Sequence, residues 1–220
     1  MPILESVGFM KTLWESGGAQ VALMESREET SHMVGILEGI AAELSWRPGT
    51  QLRDYQDRAA HLAVLVGSEI VGGLQIVTSP SADCLPYRLV WPEVCVPDGA
   101  AIADITILAL RKEYRARFNL FWPLCVELWR HCVAEGATEM RLEATPDTLR
   151  LYRRIGWPLE VIGDLRLHWN EPCFLCRMGI VDVAGAMVVR ALQSATYQAV
   201  LAGMSRPVAS ASPVATNSGL

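Results

Sequence analysis

The stretch 101–145 constrains the fold most. AIADITILAL is an apolar run of strand length, a basic turn follows, and from Phe118 onward Trp122, Cys125, Trp129 and Cys132 fall on one helical stripe that Gly136 stops. EMRLEAT is then a strand again. The alternation of strand and helix periods predicts helices packed on a sheet. The same reading extends in both directions. Met33, Ile36, Leu37, Ile40 and Leu44 recur at helical spacing within 26–44, and Glu28 and Glu29 sit in the first turn, where the helix dipole favours anions. HLAVLV, GSE and IVGGLQIVT predict a β-hairpin, and 79–100, with four prolines and no sustained period, a loop. PDTLRLYRRIG starts with proline and acid, carries arginines in its last turn and closes on Gly156, as a short capped helix would. LEVIGD and the segment around FLCRMGIV supply two more strands. The expected class is α/β (α+β), a central mixed β-sheet flanked by helices. It forms one domain over 1–181, followed by a C-terminal helix over 182–203 and a small-residue, proline-rich tail over 204–220 without fixed structure.

Charge and composition exclude several functions. The net charge of −5 offers no basic field for a nucleic-acid backbone. The helix 182–203 is apolar, but Arg190, Gln193, Ser194, Thr196 and Gln198 interrupt it, so no transmembrane segment is expected. With no secretory signal, the six cysteines read as small core residues of a cytoplasmic protein. Cys173 and Cys176 form a lone CxxC whose thiols point to opposite faces of a strand. Zinc wants four ligands, so no metal site is expected.

Strand, basic turn, long helix, strand and then LRLYRRIGW, with Tyr152, Gly156 and Trp157, resemble the GNAT acetyltransferase superfamily. Within it, RRIGWPLEVIGD, Trp46 followed by DYQD, and HLAVLVGSEIVGGLQI resemble the acyl-homoserine-lactone synthases and their relatives, the N-acyl amino acid synthases. The resemblance spans about 26–180. Five positions depart from the lactone synthases: Ile36 and Ile40 stand for an arginine and a phenylalanine, Gln75 for an arginine, and Asp104 with Ile107 for a glutamate and an arginine. An acceptor other than theirs would explain a retained frame with an altered site.

The resemblance implies transfer of a medium or long acyl chain to the α-amine of an amino acid, tyrosine or another aromatic being a candidate. The donor would be the acyl-phosphopantetheine of acyl carrier protein, with no bound cofactor. Coenzyme A-dependent members carry glycines in the turn before the long helix, so that backbone N–H groups approach the pyrophosphate. Here Phe118 and Leu120 would crowd it, while Arg111, Lys112, Arg115 and Arg117 surround Glu113 and form an anion-docking patch that Arg150, Arg153 and Arg154 extend. Solvation of a strand end and of a helix terminus is the plainer reading of these charges. Asp104, which interrupts an apolar strand, and Glu143 on the next strand are candidate bases or ammonium anchors, and Tyr152 is a candidate proton donor to the leaving thiolate. The resemblance places Trp46, Asp54, Asp57 and Gln75 at the acceptor site, whereas DYQDR by itself reads as an ordinary solvated turn. Ile105, Ile107, Leu108, Phe121, Trp122, Cys125 and Trp129 offer an acyl-chain lining, or a plain core. The alternatives are a lactone synthase-like enzyme, a coenzyme A-dependent N-acetyltransferase, and a non-catalytic module that binds an acyl chain or amino acid.

Overall fold

The computed structural model describes residues 10–79, 84–115 and 117–204. Eight strands form one sheet in the order β1-β2-β3-β4-β5-β6-β8-β7. The elements are β1 (Lys11–Ser16), β2 (Ala19–Leu23), α1 (Arg27–Glu43), α2 (Gln51–Asp54), β3 (Ala59–Val66), β4 (Glu69–Ser79), β5 (Ile102–Leu110) and α3 (Phe118–Ala134). They continue with β6 (Glu139–Ala144), α4 (Pro146–Arg154), β7 (Glu160–His168), β8 (Glu171–Gly179), α5 (Ile180–Gln193) and α6 (Ala195–Met204). All strand pairs are antiparallel except β5 with β6, the pair that α3 connects.

Local chemistry sets most boundaries. The Ser26 side chain accepts from the Glu29 backbone N–H while the Glu29 carboxylate accepts from the Ser26 backbone N–H, a capping box that opens α1. Thr145 caps α4 through the Thr148 N–H. Two parts of the fold differ from the sequence expectation. A hairpin, β1 with β2, precedes α1; its turn is Gly17–Gly18, both at positive φ (58° and 76°), which a two-residue hairpin turn requires. The C-terminal helix is two helices, because Ser194 is extended (φ −143°, ψ 110°) between α5 and α6. Val183, Met187, Tyr197 and Val200 on these helices are buried in the same core as Leu120, Leu124 and Cys132 of α3. The tail beyond 204 lies outside the described residues.

The core is split by the sheet. Met33, Val34, Leu37 and Ile40 of α1 pack with Leu65, Ile70, Ile107 and Ala109 on one face, and α3, α5 and α6 cover the other. Close approach of α1 depends on Gly73, where a Cβ would lie 2.0 Å from the Leu62 carbonyl oxygen and 2.4 Å from the Met33 Cε. Cys176 belongs to the α3-side core and Cys173 to a third cluster with Tyr87 and Trp91, so the CxxC thiols do point apart. Cys125 and Cys132 are also buried. Cys84 and Cys95 are exposed, contrary to the core reading, because both lie in the proline-rich connection between β4 and β5.

The feature that creates a site is in β5. Gln75 of β4 pairs with Ile107 and Ile76 with Ile105, so Thr106 is an extra, bulged residue. On its other side β5 pairs with β6 only from Ile102–Glu139 to Ile105–Leu142. Beyond that point the strands part.

Candidate active site

A cavity of about 140 Å³ occupies the gap, and its lining comes from both faces of the sheet. On the α3 side it is walled by Phe121, Cys125 and Leu128, which share one face of the helix at i, i+4 and i+7. Tyr152 and Trp157 from α4 and its end close this half, and Ile105 to Leu108 form its floor. At the opposite end stand Trp46, Glu143, His168, Trp169 and Glu171. One half of the cavity is therefore apolar, and the other carries titratable groups.

The polar end is built around His168, the last residue of β7. Its Nδ1 bonds the Glu143 carboxylate, and its Nε2 lies 3.2 Å from Gln51 Oε1. The indole N–H of Trp169 donates to the same Gln51 oxygen at 2.6 Å. Trp169 packs on Trp46, with ring centroids 6.2 Å apart. In the apolar half, Tyr152 stacks on Phe121 at 6.2 Å, and burial pushes its phenol well above the usual tyrosine range, so it stays neutral. Burial likewise pushes up the Cys125 thiol, leaving no thiolate for nucleophilic work. Three lining residues hold buried donors without a partner among the described residues: Thr106 through Oγ1, and Trp46 and Trp157 through Nε1. A ligand bearing oxygen acceptors would satisfy them.

Two comparisons returned nothing: no family model and no curated protein matches the chain. Solved structures do match. FeeM, an N-acyl amino acid synthase from uncultured soil microbes, aligns with a TM-score of 0.68 at 11% identity, over 80% of this chain and 98% of its own. BjaI, a CoA-dependent acyl-homoserine lactone synthase, aligns at 0.57 and 16% identity over 82% of this chain and 84% of its own. A GNAT family acetyltransferase from Streptococcus pneumoniae aligns at 0.50 and 14% identity, over 72% and 98%. The fold is GNAT-like.

In this GNAT-like frame the sequence candidates separate. Glu143, Tyr152, Trp46, Ile105, Ile107, Leu108, Phe121 and Cys125 all line the cavity. Asp104 does not. Strand alternation turns its carboxylate under the 3₁₀ turn Pro86–Leu89, where it accepts from the Tyr87 backbone N–H at 2.8 Å. Burial raises its pKa to about 8, against the opposing effect of that hydrogen bond. Gln75 is fully buried away from the cavity, its amide donating to the Leu52 carbonyl at 2.9 Å and contacting His61 Nε2 at 3.0 Å. Burial holds that imidazole neutral at neutral pH, its pKa lowered to about 4. Asp54 accepts from the Thr50 hydroxyl at 2.8 Å on an exposed turn, and Asp57 pairs with Arg27 at 3.5 Å in solvent. Neither lines the cavity.

Trp122 and Trp129 also leave the acyl lining. They sit one helical step round from Phe121 and Leu128 and face α5 and α6: Trp122 packs edge-on against Tyr197, and the Trp129 indole N–H donates to the Ile180 carbonyl at 3.0 Å. His168, Gln51 and Trp169 are the residues that sequence reasoning missed. Gln51 and His168 are 117 positions apart, and no local pattern connects them.

The basic turn is partly neutralised. Arg111 pairs with Glu69; Arg115 donates to the Leu110 carbonyl at 2.8 Å and approaches Glu43 at 3.4 Å; Arg117 lies over the Tyr114 ring at 4.8 Å. Lys112 and Arg117 are exposed, beside the half-exposed Phe118 at the start of α3. Arg150 pairs with Asp147, and Arg153 and Arg154 are exposed on α4.

Proposed function

We propose that the protein is an N-acyltransferase that moves a medium or long acyl chain from acyl carrier protein to the amine of an amino acid. The observation that carries this reading is the two-ended cavity: an apolar half between α3 and β5, and a titratable end at Glu143, joined at the Thr106 bulge. Each methylene buried in the apolar half contributes about 0.8 kcal/mol, which favours chains over acetyl. At the other end, Trp46 and Trp169 offer aromatic faces to an aromatic acceptor.

In the reaction the acceptor nitrogen attacks the thioester carbonyl at the bulge, and the unpartnered Thr106 hydroxyl donates to the developing oxyanion. The C–N bond forms, and the nitrogen's surplus proton passes to Glu143. The C–S bond then breaks, and the neutral Tyr152 phenol protonates the thiolate. A carrier-protein donor is supported by the glycine-free turn before α3, where Lys112 and Arg117 are exposed, and by the half-exposed Phe118 that opens the helix. Carrier-bound phosphopantetheine needs a docking surface and no nucleotide cradle.

The test is mass detection of N-acyl products after incubation with a mixed amino-acid pool and either myristoyl carrier protein or myristoyl coenzyme A. Product from the carrier donor alone supports the whole reading and identifies the acceptor. Product from coenzyme A alone removes the carrier; no product from either removes the transferase.

A further inference from the structure

We infer that Trp169, Gln51 and His168 form a chain of hydrogen bonds that holds a proton against Glu143 and so sets this carboxylate's orientation and charge. The inference deepens the transferase reading of the same site. It follows from counting donors and acceptors. An indole N–H can only donate, so its 2.6 Å bond to Gln51 fixes the atom it meets as the amide oxygen. An amide oxygen can only accept, so His168 Nε2, 3.2 Å from the same oxygen, must carry a hydrogen. On the other side of the ring, Nδ1 is in direct contact with Glu143, and two lone pairs cannot share that contact. A second proton lies between them. That proton belongs to the ring, so the pair is an imidazolium facing a carboxylate.

The backbone supports a purpose for the chain. Trp169 and Asn170, the two residues of the β7–β8 turn, both have positive φ (46° and 72°), a conformation costly for a residue as bulky as tryptophan. The turn is fastened to the α1–α2 connection, where the Arg47 N–H donates to the Trp169 carbonyl at 3.1 Å. That strained turn brings His168 and Trp169 onto Gln51.

His168 is the cationic partner in a neighbourhood of acids. Glu143 is faced by Glu171 and Cys173 of β8, by Tyr152 of α4 and, at longer range, by Asp104 of β5. Arg141, two residues back on β6, is committed to Glu139 at 2.6 Å and to the Tyr87 hydroxyl. His168 is thus a positioning residue: it keeps Glu143 ionised and aimed at the acceptor nitrogen, and Gln51 keeps His168 from turning away.

The experiment has two independent readouts on the full-length chain. In ¹⁵N-histidine-labelled protein at neutral pH, the His168 resonances, assigned by their loss in His168→Gln, should show both ring nitrogens protonated. In Glu143→Gln the Nδ1 proton should disappear and leave the Nε2–H form. In turnover, His168→Gln should lower kcat on the order of 100-fold. The same ring pattern in wild type and Glu143→Gln, or wild-type kinetics in His168→Gln, would overturn the chain. The ring pattern is read without turnover, so a protein that shows it yet acylates nothing would refute the transferase reading and leave the chain standing.

Discussion

Asp104 shows how one residue can carry the signature of a catalytic acid and yet stand outside the cavity. It interrupts an apolar strand, it is buried, and its pKa is raised to about 8, yet its partner is the Tyr87 backbone and the cavity begins one residue further along β5. The raised pKa has a consequence for stability. The folded state binds this proton more tightly than the unfolded chain does, so Asp104's contribution is favourable below its unfolded value, near 3.8, and is lost as pH rises through about 8. An asparagine side chain at this position would keep an acceptor for the Tyr87 N–H without the charge. The Tm of Asp104→Asn relative to wild type should therefore rise steadily from about pH 4 to about pH 8, with kcat changed less than about threefold; a Tm difference independent of pH would contradict the assignment. Glu143 and Tyr152, which line the cavity, were both named from the sequence, Glu143 as the acid of the strand after α3 and Tyr152 through the GNAT resemblance. His168 was not, since its meaning comes from Gln51, a contact made only by the folded chain.

At the scale of elements, periodicity located α3 correctly and misjudged which of its faces matters. A stripe of Trp122, Cys125, Trp129 and Cys132 is wide enough to bury against several neighbours at once, and only the packed helix shows that Phe121, Cys125 and Leu128 meet the cavity while Trp122 and Trp129 meet α5 and α6. The first hairpin escaped for a related reason: β1 is six residues long with one of them buried, so its apolar signal is thin and only the glycine pair marks it. The two faces of α3 can be told apart. Cys125→Trp should shorten the longest accepted acyl chain, read as the ratio of kcat/KM for fourteen- and eight-carbon donors. Trp129→Phe should leave that ratio unchanged and cost about 1 kcal/mol in denaturant unfolding, the worth of the lost bond to Ile180. A chain-length shift in Trp129→Phe, or none in Cys125→Trp, would place the acyl chain elsewhere.

For the whole molecule, β5 and β6 of the GNAT-like sheet part beyond the Ile105–Leu142 pair, and α3 begins beside the end of β5, where the chain leaves the sheet through a basic turn. A donor reaching the bulge would pass this turn. The overall charge of −5 repels an acidic partner at long range, so productive encounter depends on the local patch. Within that patch the charges are unequal: Arg111 is paired with Glu69 and Arg115 is shared between a carbonyl and Glu43, whereas Lys112 and Arg117 are exposed to solvent. The exposed pair should dominate docking. Lys112→Glu with Arg117→Glu should raise the KM for acyl carrier protein on the order of tenfold at low salt, with kcat near wild type, because rim charges act on encounter more than on the bound complex. The difference from wild type should shrink as ionic strength rises and the Debye length falls toward the size of the patch. Acyl-pantetheine, a donor without the protein surface, should be used equally by both proteins. An equal loss with both donors would mean that these side chains support the start of α3 and not a docked partner.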